Sequence, residues 1–159
     1  MTHNKPGELS FMNDDAIVCC EVNHGSLEYH NTLNLRNELL RRPINLLFSP
    51  EELIQENDSF HLVCWDKESL TACLVLKPLS AQIIRMRQLV VAEEFQNRGF
   101  GKRLVSFAES FAKQHGYLEI TIHARETAVG FYEKLGYIKE GDCFIEVTIP
   151  HFLMRKILE

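Results

Sequence analysis

The chain has 159 residues, 45% of them apolar and 25% charged, with a formal net charge of −5 and five cysteines. That length suffices for one self-sufficient core; no stretch approaches the roughly 20 apolar residues of a membrane span, and residues 1–13 lack an export-signal pattern. The acidic balance argues against general affinity for nucleic acid, and Cys19, Cys20, Cys64, Cys73 and Cys143 form no C-x-x-C pair and are odd in number, against a zinc site or a disulfide framework. The expectation is a single domain over residues 1–159, loosely ordered over 1–15, cytoplasmic, with no metal, no nucleic-acid partner and no membrane partner.

Residues 16–22 form a short β-branched apolar run, a first strand. Residues 27–42 set Tyr29, Leu33, Leu35, Leu39 and Leu40 among polar neighbours, an imperfect amphipathic helix that Pro43 ends. Ser49-Pro50-Glu51-Glu52 supplies a cap, a first-turn proline and first-turn acids for a second short helix. Residues 59–65 and 70–77 read as strands joined by Asp66-Lys67-Glu68-Ser69, a hairpin. A longer strand covers 83–91, with Arg85 and Arg87 expected to share one face with Ile83, Leu89 and Val91. A loop follows over 92–101. Over 102–115, Leu104, Phe107, Ala108, Phe111 and Ala112 recur at i, i+3, i+4, i+7 and i+8, a helix stripe that Gly116 stops. Residues 118–123 read as a strand and 127–135 as a helix. Tyr137 and Ile138 open another strand, and the last covers 144–149 or resumes after Pro150 up to 157. Strand–helix–strand order implies local parallel pairing, while the hairpin implies antiparallel pairing. The fold class is α/β (α+β), a mixed sheet flanked by helices.

The loop Gln96-Asn97-Arg98-Gly99-Phe100-Gly101 lies between the long strand and the amphipathic helix. Its glycines permit positive φ and close approach of a ligand to the backbone. Consecutive N–H groups, the positive end of the helix dipole, and the charges of Arg98 and Lys102 together suit a pyrophosphate. Two familiar phosphate loops do not fit. Gly101-Lys102 is followed by Arg103 rather than Ser or Thr, and Leu104 stands where the dinucleotide fingerprint needs a small residue.

Leu89-Val90-Val91 followed by Gln96-Asn97-Arg98-Gly99-Phe100-Gly101 resembles motif A of the GCN5-related N-acetyltransferase (GNAT) superfamily, Q/R-x-x-G-x-G/A after a strand. Ala128-Val129-Gly130-Phe131-Tyr132-Glu133-Lys134-Leu135-Gly136-Tyr137 resembles the superfamily's A-x-x-x-Y-x-x-x-G-[FY] element, at a typical distance. The tail over 141–154, with Leu35-Arg36-Asn37-Glu38, Leu40-Arg41-Arg42-Pro43 and Glu51-Glu52-Leu53, is similar to a bacterial branch near the ElaA-like acetyltransferases. The resemblance spans residues 16–158. It implies a GNAT fold, with a mostly antiparallel central sheet whose two parallel strands splay apart. It also implies direct transfer of an acetyl group from acetyl-CoA to a primary amine in a ternary complex. A non-catalytic acyl-CoA sensor is the alternative.

By that resemblance, the backbone N–H groups of Arg98, Gly99, Phe100, Gly101 and Lys102 hold the pyrophosphate, in a loop that Gln96 and Asn97 open. The edge of Leu89, Val90 and Val91 pairs with the pantetheine arm. Tyr132 contacts the cofactor and serves as general acid for the departing thiolate. Glu146 and His151, ahead of Glu93 and Glu94, are the candidates to take the proton of the attacking amine. Many members carry Asn where this chain has Arg125, so that role passes only to an arginine that can donate to pantetheine or phosphate. His61, His115 and His123 lack ligand spacing and are expected to be structural or exposed. The acceptor pocket is expected from the front half and the tail, and homodimers are common among such proteins.

Overall fold

The computed structural model describes residues 16–159; the expected loose segment over 1–15 lies outside the described residues. Seven strands form one sheet in the order β1-β2-β3-β4-β5-β7-β6. They are β1 (Ile17–Val22), β2 (Phe60–Asp66), β3 (Ser69–Pro78), β4 (Ile83–Val91), β5 (Glu119–Arg125), β6 (Ile138–Glu146) and β7 (Ile149–Ile157). Every neighbouring pair is antiparallel except β4 and β5, which run parallel. The helices are α1 (Leu27–Arg36), α2 (Pro50–Ile54), α3 (Phe100–Gln114) and α4 (Val129–Lys134).

Helix α3 is the crossover between the parallel strands. Leu104, Phe107, Ala108, Phe111 and Ala112 bury its apolar stripe against Leu62, Leu74, Leu76, Ile84, Met86, Ile120 and Ile122 on one sheet face. Full burial of side chains such as Leu104 and Phe107 is worth about 1.5–3 kcal/mol each. On the opposite face, Cys20, Val22, Val63, Trp65, Cys73 and Val90 pack beneath Leu35, Leu39 and Leu40. Strands β1 to β4 are therefore packed on both faces.

Four local readings need correction. The helix expected over 27–42 is α-helical only to Arg36; a π turn at Asn37–Arg41 and a 3-10 turn at Arg42–Ile44 follow, because Pro43 lacks the N–H that regular winding would use. Helix α3 begins at Phe100 rather than Lys102, since Gly99 caps it in the left-handed region at φ 85°. The helix expected over 127–135 opens as a 3-10 turn, Glu126–Ala128, before α4. Residues 144–146 belong to β6, and Val147 and Thr148, both at positive φ, turn the chain into β7.

Arg85 and Arg87 do not share a face with Leu89 and Val91. Gln88 sits at φ 57°, and the pairing of β4 with β3 slips between Cys73 and Val75. This bulge reverses the side-chain alternation. Leu89 and Val91 turn toward the α3 side, whereas Val90 joins the α1 side.

Candidate active site

The parallel strands pair only from Ile83–Glu119 to Met86–Ile122, although β4 continues to Val91 and β5 to Arg125. Beyond Met86 they diverge. A cleft of about 440 Å³ occupies the gap. Leu89, Ala124, Thr127, Ala128 and Tyr132 line it, as do Arg85, Arg87, His123, Arg125, Glu146 and His151. Leu40, Arg41, Phe48 and Glu52 wall it from the α1–α2 side. The bulge at Gln88 starts where the gap opens.

The loop of the sequence reading borders the α3 side. Asn97 (φ 62°) and Gly99 (φ 85°) are both left-handed. Left-handed residues spaced in this way are the backbone pattern from which anion-binding concavities are built. The first backbone bond of the helix is Arg103 N–H to Gly99 O at 3.0 Å, so the N–H groups of Phe100, Gly101 and Lys102 have no acceptor inside it. No side chain caps the helix, and its first turn carries no acid. Lys102 and Arg103 stand there instead, which the helix dipole disfavours unless an anion is bound. A Cβ on Gly101 would meet Phe131 Cζ and Val91 Cγ2 at 3.4 Å, so this glycine lets the first turn of α3 approach both β4 and α4 closely. Phe100 is buried edge-on to Phe95 and offers only its backbone. Gln96 Nε2 donates to Val91 O at 3.0 Å, tying the loop to the strand end. Arg98 lies over the rings of Phe95 and Phe100. None of Val90, Val91 or residues 96–102 lines the 440 Å³ cleft itself.

Tyr132 is 6% exposed, with its ring edge-on to Phe131 and Tyr137. Its hydroxyl has no hydrogen-bond partner among the described residues. Burial pushes the phenol above its ordinary value, so it stays a neutral O–H donor. Across the cleft, Glu146 is held between two histidines. His123 Nδ1 donates to Glu146 Oε1 at 2.9 Å, and His151 Nε2 lies 3.8 Å from Glu146 Oε2. His151 Nδ1 is 2.7 Å from Ile149 O. A carbonyl only accepts, so Nδ1 carries a proton, and in the neutral ring Nε2 presents its lone pair. The structure thus brings Leu89, Arg125, Tyr132, Glu146 and His151 together around one space.

His123, expected to be structural or exposed, is half-buried and bonded to Glu146. It orients Glu146. The available signal was strand periodicity: His123 and Arg125 are two apart and share a β5 face, and Arg125 pairs with His151. His61 and His115 are structural, bonding Glu56 O at 3.0 Å and Phe111 O at 2.8 Å. Arg125 Nη2 donates to Leu40 O at 2.9 Å, so its guanidinium braces the α1 side of the cleft. Glu93 and Glu94 lie in a 3-10 turn, outside the lining.

The chain matches the acetyltransferase (GNAT) domain family over residues 44–158. It belongs to that family. Its fold is similar to that of ElaA from Escherichia coli, with a TM-score of 0.73 at 19% identity, covering 88% of this chain and 99% of ElaA. It is similar also to a GNAT family acetyltransferase from Elizabethkingia anophelis whose crystal structure has acetyl-CoA bound, with a TM-score of 0.69 at 21% identity, covering 91% of this chain and all of that one. In sequence it is 35% identical over 72 residues to the uncharacterized protein YyaT of Bacillus subtilis (strain 168), covering 45% of this chain and 49% of YyaT. The chain thus spans about half the length of the curated relatives it matches. The mixed sheet with one splayed parallel pair is the GNAT fold. No helix among the described residues is long and apolar enough to cross a membrane.

Proposed function

We propose that this GNAT domain transfers an acetyl group from acetyl-CoA to a primary amine by direct attack. The observation that carries the proposal is the divergence of β4 from β5 after Met86 and Ile122, which joins the Tyr132 side of the sheet to the Glu146–His151 side through one cleft. The backbone N–H groups of Arg98, Gly99, Phe100, Gly101 and Lys102 would hold the pyrophosphate, with Gln96 and Asn97 shaping the loop. The edge of Leu89, Val90 and Val91 would pair with the pantetheine arm, and a backbone N–H there would stabilise the oxyanion. Arg125 would border the acetyl end of the slot.

The amine enters from the opposite side. Glu146 or His151 Nε2 takes its proton, and the nitrogen attacks the thioester carbon. The C–N bond forms, the tetrahedral centre collapses, and the C–S bond breaks. Tyr132 donates its O–H to the departing sulfur as negative charge builds there, and the extra proton that the acylated nitrogen sheds to become an amide restores the phenol. Burial has made the phenol a weaker acid than usual, which favours a hydrogen-bonding role until that charge develops.

Calorimetric titration with acetyl-CoA, with ATP as control, tests the first half. Micromolar binding of acetyl-CoA and much weaker binding of ATP is the expected result. Absence of binding by folded protein at millimolar acetyl-CoA would sink it. Coenzyme A release with a panel of amines tests the second half; tight binding with no release would identify a sensor.

A further inference from the structure

Resting on the acetyltransferase reading, we infer that the acceptor is a small amine that also carries an anionic group, a carboxylate or phosphate, held by Arg85 and Arg87 with help from Lys77. Five cations line the cleft, Arg41, Lys77, Arg85, Arg87 and Arg125, against two carboxylates, Glu52 and Glu146. This positive excess stands in a chain of net charge −5. Arg41 is answered by Glu52 at 2.9 Å, and Arg125 by the Leu40 carbonyl. Lys77, Arg85 and Arg87 have no ion pair or hydrogen bond among the described residues.

Their arrangement is costly without a ligand. Lys77 lies directly opposite Arg85 across β3 and β4, and Arg87 follows two residues on. Like charges directly opposite in an antiparallel pair destabilise it. Arg85 Nε is buried without a partner. Thr121, the register neighbour of Arg85 on β5, is 5% exposed and its hydroxyl is also unpartnered. Unsatisfied buried donors of this kind are rare, and of the two residues Arg85 lines the cleft, where an anion could meet its guanidinium. Burial and then Arg87 hold the Arg85 pKa below its ordinary value, against the opposing field of Glu146.

The anion is not the pyrophosphate of the cofactor. The bulge at Gln88 sends Leu89 and Val91 toward α3 and its loop, leaving Arg85 and Arg87 on the other sheet face. On that face the next β5 residue after Thr121 is His123, which holds Glu146. Two residues of strand span about 7 Å. An acceptor with its amine at Glu146 and His151 and its anion at Arg85 and Arg87 is therefore compact.

Two matched pairs of amines test this: 4-aminobutanol with 4-aminobutanoate, and ethanolamine with O-phosphoethanolamine. Without acetyl-CoA, the melting temperature of the wild type should rise with an anionic member and not with its neutral partner. The R85Q/R87Q double variant should lose that rise while retaining its acetyl-CoA dissociation constant. In turnover with acetyl-CoA, the wild type should prefer an anionic member at least tenfold in kcat/KM, and the double variant should lose that preference. Which pair responds separates carboxylate from phosphate. Equal response to charged and neutral members, or a preference that survives in the double variant, overturns the inference. Failure of acetyl-CoA to bind overturns the acetyltransferase reading instead, and the melting comparison is unaffected by it.

Discussion

Glu56→Gln should cost this protein a large part of its stability. Arg36 is 0% exposed, and its guanidinium meets Glu56 through two bonds, Nη1–Oε2 at 2.8 Å and Nη2–Oε1 at 3.0 Å. Tyr29 donates to the same carboxylate at 2.8 Å, and Arg36 Nη1 also donates to Gln88 Oε1 at 2.5 Å. Glutamine preserves shape and a carbonyl acceptor, so no cavity forms. What remains is a buried cation without its counter-charge, a loss of about 3–5 kcal/mol. For a chain of this size that lowers the melting temperature by about 6–20 °C. Thermal melts followed by circular dichroism should show it, and replacing both partners, R36M/E56M, should recover much of the loss. A fall of less than about 2 °C in Glu56→Gln would refute the reasoning. Acid dependence gives a second reading of the same network. Burial raises the Glu56 pKa, but the Arg36 and Tyr29 bonds outweigh it and hold the carboxyl below its ordinary value. Its stabilisation is present above about pH 4.3 and is lost as the pH falls through the folded value. The neighbouring His61 is held low by burial, against its bond to the Glu56 carbonyl. The unfolded chain takes up that proton near pH 6.5 while the folded chain resists, so stability declines below about pH 6.5. In Glu56→Gln the loss below about pH 4.3 should shrink.

Tyr132→Phe should lower turnover by about 10²-fold or more, while the acetyl-CoA dissociation constant by calorimetry stays within about twofold. Unchanged kcat would remove Tyr132 from the chemistry. Glu146→Gln should lower kcat/KM for the amine with little effect on acetyl-CoA affinity, and His123→Ala should do the same more weakly, since His123 positions Glu146; equal losses in cofactor affinity would argue for a structural role for both. Gly99→Ala meets no atom within 4 Å, so its cost is conformational, about 1–2 kcal/mol for a side chain at positive φ. It should lower the melting temperature by about 2–8 °C and weaken acetyl-CoA binding. Full cofactor affinity in that variant would show that the loop does not hold the pyrophosphate.

The parts of this protein that sequence made legible are those whose signal is local. The stripe from Leu104 to Ala112 is a helix because its spacing buries one face, and Ser49 caps α2 in a reciprocal bond with Glu52. The loop over 96–101 could be placed because its glycines and the amphipathic stripe behind it mark a strand-to-helix turn, and Asn97 and Gly99 are indeed left-handed just before α3. The less legible parts are made by pairing across the chain. Gln88 carries no sign that it will adopt φ 57°, since its side-chain partner Arg36 is 52 residues away. Period-two reading of β4 therefore put Arg87 and Leu89 on one face. His123 looked inert because its partner Glu146 comes from a different strand.

That bulge ties together observations that otherwise look separate. It follows the last β4–β5 pair, Met86–Ile122, by two residues, so it lies where the cleft opens. It also separates the cationic stretch of β4 from the stretch expected to face the cofactor. The side chain that accepts from Arg36 belongs to the bulged residue itself, and Arg36 is fixed in turn by Glu56 and stacked near Tyr29 and Phe48. A buried ion pair of this kind adds little net stability over an apolar pair of equal volume. Its use here is better understood as geometric: a bidentate guanidinium has one orientation, and that orientation leaves Nη1 aimed at Gln88. An R36M/E56M variant that melts near the wild-type temperature but turns over more slowly would separate the two contributions, because the fold would survive while the slot between β4 and β5 lost the bond that holds its edge.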